Sequence, residues 1–217
     1  MRSIIGRRTN SHRRVGIAIK ITMALFVTMA WITASAVAAT ADGTDPSDDL
    51  LDVLTQEIIP AEGMETFYGE ELSFELLPQF VQAWYDLVPA AERDERYQTA
   101  LEELVAPCCD DNTMFVCCCE QGGQACNIVR SGKGLAAQLI LDAENDYTVE
   151  QIRAAVFQWL MFARPDYYLA AELEARDIDP EAYGLTTYGS CYRGMCAVAV
   201  SQGGCGGMNE LIEPLGL

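Results

Sequence analysis

Residues 147–169 read YTVEQIRAAVFQWLMFARPDYYL. Thr148 and Gln151 stand three apart as a capping box at a helix start. From there Ile152, Val156, Trp159, Leu160 and Ala163 recur at the period of one buried helix face. Pro165 ends that helix and suits the first turn of another, expected from Asp166 to Arg176. Two helices joined almost without a loop set the class: mainly α.

The pattern extends in both directions. Upstream, Ser131 is placed to cap a helix to about Glu144 through Leu135, Leu139 and Ile140. Pro89 would open a helix from Ala90 to Val105, with Tyr97, Leu101, Leu104 and Val105 inward. Leu72, Leu76, Phe80, Trp84 and Leu87 mark a helix from about Glu71 to Val88, with Pro78 either kinking it or starting its second half. Ser47 would cap a helix to Ile59 carrying Leu50, Leu51, Leu54 and Ile58, stopped by Pro60. Downstream, Asp179-Pro180 starts one more turn, closed by Gly184. Ala197–Val200 resembles a strand and could pair with Met114–Cys118. The expected architecture is a helical bundle with two cysteine-rich loops and at most a short two-stranded β element.

Residues 1–41 read as an export signal. Six basic residues precede an apolar run from Ile21 to Ile32, and small residues follow. Cleavage is expected between residues 36 and 41; an uncleaved membrane anchor is the alternative, since the apolar stretch nearly reaches spanning length. Residues 42–217 then form a single helical, cysteine-rich domain outside the cytoplasm, in the periplasm or cell envelope or secreted. None of the 32 acidic residues precedes residue 39, while six of the 14 basic ones do. The exported chain therefore carries eight basic against 32 acidic residues, a balance of −24. Such a surface repels nucleic-acid phosphate and anionic lipid. Neither nucleic acid nor, after cleavage, a membrane is an expected partner; a cationic or thiol-bearing protein is.

Nine cysteines fall in two groups, six between residues 108 and 126 and three between 191 and 205. The only histidine, His12, lies in the export segment. The exported domain thus has no Cys-His pair, no Ser-His-Asp triad and no histidine-containing zinc site. SGKGLA at Ser131 fails as a phosphate loop, because Asn127 and Gly134 stand where glycine and a hydroxyl residue are required. Adjacent α-carbons, about 3.8 Å apart, are closer than a relaxed disulfide prefers. Cys108 and Cys109, or neighbours among Cys117, Cys118 and Cys119, therefore need partners elsewhere, and Cys191, Cys196 and Cys205 are the obvious source. Apart from Cys119, these cysteines, seven in all, are expected to be structural. With Cys126, Cys119 is the redox candidate: Arg130 and Lys133 follow Cys126 at a helix start, and both positive charge and a helix N-terminus favour thiolate. Thiolates with Met195 and Met208 nearby would also suit a soft metal, but no C-x-x-C pair exists, and neither metal nor cofactor is expected.

From Cys117 to Tyr168 the order is a cysteine motif, a small-residue turn, GLAAQLI, YTVEQIRAAVFQWL and ARPDYYL. This resembles the CcmH-type cytochrome c biogenesis module and the secreted proteins named for a PCYCGC motif. The resemblance implies a small helical bundle outside the cytoplasmic membrane whose cysteines handle the thiols of apocytochrome c. The family relies on C-x-x-C, whereas here Cys117-Cys118-Cys119 is followed by Cys126. The leading expectation is a thiol–disulfide or thiol-handling protein. A disulfide-stapled, non-enzymatic binding or scaffold protein and a soft-metal (copper or zinc) thiolate carrier are the alternatives.

Overall fold

A computed structural model of the chain describes residues 46–107, 125–189 and 193–208, with only the backbone for 46–49. All belong to one compact unit, Gly43–Leu217; the other, Met1–Asp42, lies outside the described residues. Among the described residues six α-helices follow one another: α1 Pro46–Ile58, α2 Leu76–Ala91, α3 Glu95–Leu101, α4 Asn127–Ile140, α5 Val149–Ala163 and α6 Pro165–Ala175. Two 3-10 turns among the same residues, Pro180–Tyr183 and Val200–Gln202, follow them. The β content of the described residues is one antiparallel bridge, Glu65 to Glu71. The protein is mainly helical.

The core is built on α4. Gly134 lies directly against α2: a β-carbon there would come 1.8 Å from the Phe80 carbonyl oxygen. The glycine that spoils the phosphate-loop pattern is what lets two helix backbones touch. Trp159 of α5 has no exposed surface. Its ring meets Phe80 edge-on at 5.1 Å, and its Nε1 donates to Ser131 Oγ at 2.8 Å. The hydroxyl of Ser131 donates in turn to the Ile128 carbonyl, so the indole N–H is satisfied without water. α1 packs away from this centre. Leu54 meets Leu169 and Leu173 of α6 in a small separate cluster bordered by Ile58, Ile178 and Tyr183.

Several sequence expectations are met residue by residue. Thr148 and Gln151 form the reciprocal capping box, and Ile152, Val156, Trp159, Leu160 and Ala163 are all buried. Pro165 opens α6, and Gly184 closes the Pro180–Tyr183 turn at φ 69°. Others need correction. α4 begins at Asn127, four residues before Ser131, and α1 begins at Pro46, so Ser47 is not its cap. α2 starts at Leu76 because Leu72 is held in the Met64–Leu72 turn, its N–H donating to the Met64 carbonyl. Pro78 falls in the first turn, where its missing N–H costs nothing. Pro89 opens no helix; it lies inside the last turn of α2. Asp94 starts α3 instead, its carboxylate accepting from Arg96 N–H. Ala197–Val200 forms no strand; Val200 opens a 3-10 turn instead. The Met114–Cys118 stretch lies outside the described residues.

Candidate functional site

Cys126 is the N-cap of α4, in extended backbone, φ −75° and ψ 161°. Cysteine is a poor cap, and the first N–H groups of a helix need acceptors. They find them in the segment Gly203-Gly204-Cys205-Gly206-Gly207. Asn127 N–H donates to the Gly207 carbonyl at 2.9 Å and Ile128 N–H to that of Cys205 at 3.2 Å. The Asn127 side-chain amide donates to the Gly206 carbonyl. The segment is itself folded back: Gly207 N–H donates to the Cys196 carbonyl and Gly206 N–H to that of Val198, both at 2.9 Å. This demand on Val198 and its neighbours is why Ala197–Val200 becomes a turn rather than a strand. Glycine is required at two points. Gly206 holds φ 71°, and a β-carbon there would press on Val200 and Asn127; at Gly204 it would come 2.0 Å from the Val198 carbonyl oxygen.

The backbone just after Cys126 therefore meets the segment that carries Cys196 and Cys205 at one helix end. Cys126 and Cys205 have no exposed surface, and Cys196 is half-buried. Cys108, Cys109, Cys117, Cys118, Cys119 and Cys191 lie outside the described residues. Among the described residues, no three cysteine, histidine or acidic side chains are grouped to hold a metal ion.

Arg130 is buried, and its guanidinium stacks 4.8 Å from the centre of the Trp84 ring and 5.4 Å from that of Tyr85. One Nη donates to Asn127 Oδ1 at 3.2 Å, while the buried Nε has no hydrogen-bond partner. Arg130 thus braces the amide that caps α4 and gains cation–π attraction from α2. Lys133 is half-buried one turn further along.

A second hub anchors the described edges of both cysteine groups. Arg164, fully buried between α5 and α6, donates to the Pro107 carbonyl at 2.6 Å. It also grips both Asp166 oxygens, at 3.1 and 3.0 Å. Arg193 closes on Asp166 Oδ2 at 2.7 Å. Burial alone would raise the Asp166 carboxyl, but the two guanidinium groups outweigh it and hold it below the usual carboxylate value. Pro107 immediately precedes Cys108, and Arg193 lies between Cys191 and Cys196.

Neither the glycine-segment cap nor this hub was anticipated from sequence. The only advance signals were the run GGCGG and the acidic residue after Arg164-Pro165. Compared with protein-family models, with curated proteins and with solved structures, the chain matches none. No helix among the described residues is long and apolar enough to cross a membrane.

Proposed function

We propose that this is an exported protein that acts by binding, with its cysteines serving to tie the two loop regions to the helical core. The observation that carries this reading is the burial of Cys126 and Cys205. A thiol with no exposed surface is shielded from an external disulfide, and buried cysteines are as a rule inert. The α4 N-terminus, which would favour a thiolate, already has loop carbonyls on its first N–H groups. In an oxidising compartment such thiols pair. Non-reducing peptide mapping of exported protein tests the idea. At least one residue of Cys108–Cys126 is expected to link to Cys191, Cys196 or Cys205, and Cys126 to alkylate slowly after mild reduction. Links confined within each group, or fast modification of Cys126 at a pH midpoint below that of an unperturbed cysteine, would overturn it. Intact mass of the same sample reports cleavage between residues 36 and 41.

Thiol handling, as in the CcmH-type module of cytochrome c maturation, is the second reading. Cys196 favours it: it keeps partial exposure, and its carbonyl is joined through Gly207 to the residue after Cys126. On that reading Cys196 and Cys119 would meet the partner, and Lys133→Glu would slow alkylation near neutral pH by removing a thiolate-stabilising charge.

A further inference from the structure

Far along α4 from its capped end, a cavity of about 310 Å³ opens between α2, α4 and the turn that precedes α2. That is the low end of the usual size for ligand pockets. Its apolar side is made by Phe80, Leu87, Leu135 and Leu139. Tyr68 and Tyr147 supply aromatic surface, and Phe67 extends it, edge-on to both rings at 5.4 and 5.8 Å. The Tyr68 hydroxyl oxygen is buried without a hydrogen bond of good geometry, the Thr66 hydroxyl lying close enough to act on it, although such groups are almost always fully satisfied.

Two carboxylates, Glu70 and Asp142, share this lining. The Asn145 side-chain amide and the Glu144 N–H both donate to Asp142, holding its carboxyl below the usual range. Among the described residues neither acid has a basic partner. No basic residue lines the cavity. Most of the domain's few arginines are committed elsewhere: Arg96 to Asp94 and Asp146, Arg153 to Glu103, Arg164 and Arg193 to Asp166, and Arg176 to Glu57 and Glu172.

We propose that this cavity receives a lysine or arginine side chain of a basic protein partner, its apolar stem against Leu87 and Leu141 and its charge between the aromatic rings and the carboxylates of Glu70 and Asp142. Aromatic faces and carboxylates together recognise an organic cation carried on an apolar stem. A peptide fits better than a free cation because the apolar surface continues past the mouth. Phe67 is 50 % exposed and Leu141 41 %, and a small solute would leave both uncovered. The net charge, −18 for the whole sequence and −24 for residues 42–217, draws such a partner in. The proposal rests on the binding reading, and not on how the cysteines pair.

The test is calorimetric titration of the full exported chain, disulfides as purified, with a short peptide of alternating lysine and leucine. Spermidine is titrated in parallel. Peptide binding is expected to weaken at least about fivefold in Glu70→Gln, and to weaken in Tyr68→Phe, which removes only the hydroxyl. Glu181→Gln, an exposed acid on the Pro180–Tyr183 turn, is expected to stay within about twofold of the parent. The charge-to-amide changes also lessen the salt dependence. Asp142→Asn is read only if its circular dichroism matches the parent, since Asp142 also holds a turn; Glu70→Gln decides the matter without it. Equal losses in Glu70→Gln and Glu181→Gln would mean diffuse charge attraction and overturn the site. Spermidine binding as tightly as the peptide would overturn the protein partner, and no peptide binding at low salt would overturn both. None of these readouts depends on thiol mapping, so failure here is separable from failure of the structural-cysteine reading.

Discussion

Arg164 has no exposed surface, so its charge must be answered inside the protein. Asp166 answers it with two hydrogen bonds, and Arg193 makes the same carboxylate serve a second loop. Removing the acid takes the carboxylate from a buried guanidinium and leaves it to neutral acceptors such as the Pro107 carbonyl, the costly way to break such a pair. Asp166→Asn is therefore expected to lower stability near neutral pH by about 3 kcal/mol, read by urea denaturation. The pH dependence has a definite sign. The folded carboxyl titrates below its unfolded value, so its contribution is complete above about pH 4 and is lost as pH falls through the folded value. The gap between parent and variant should begin to narrow as pH falls below about 4; a gap that persists unchanged well below that would mean the carboxylate charge is not what holds the hub.

Between elements, the contact of α2 with α4 is the most demanding. Gly134→Ala would place a methyl group 1.8 Å from the Phe80 carbonyl oxygen, and backbone cannot yield as a side-chain tip can. Such overpacking is expected to cost about 3 kcal/mol or more, visible as a lower thermal midpoint. An unchanged midpoint would mean the helices are free to part. Whether an element was legible in sequence depended on where its ends are satisfied. α5 was readable because Thr148 and Gln151 close its first turn with their own side chains. The Pro180–Tyr183 turn was readable because Asp179 and Gly184 are local signals. The start of α4 was not, since Cys126 offers no cap and the acceptors arrive from residues 205–207. Ser131, the residue that looked like a cap, is spent on the Trp159 indole. Ala197–Val200 alternates like a strand, but its carbonyls are claimed by the glycine segment.

At the scale of the molecule, the charge balance and the helical class were written in composition and periodicity, and the candidate site was written in neither. Cysteine spacing led to the expectation of partners from the other group. It did not say that Asn127 and Ile128 would bond to Cys205, Gly206 and Gly207, because that meeting depends on how chain segments nearly eighty residues apart come to lie together. The charge has its own consequence. With so few basic residues, the six described acidic partners of arginine leave most carboxylates facing one another across solvent. Exposed ion pairs lose little on screening, whereas general repulsion is relieved by it. Raising salt from about 20 mM to about 500 mM should therefore raise the thermal midpoint by about 2–4 °C, the equivalent of about 1 kcal/mol. A fall would show that the arginine pairs outweigh the repulsion.

The glycine segment also sets an order of events. A chain that emerges N-terminus first presents α2 through α6 before residue 207. Until then the central helix has two N–H groups without their acceptors. The first turn of the helix at the middle of the core is thus among the last parts of the protein to be completed, when Gly206 and Gly207 arrive.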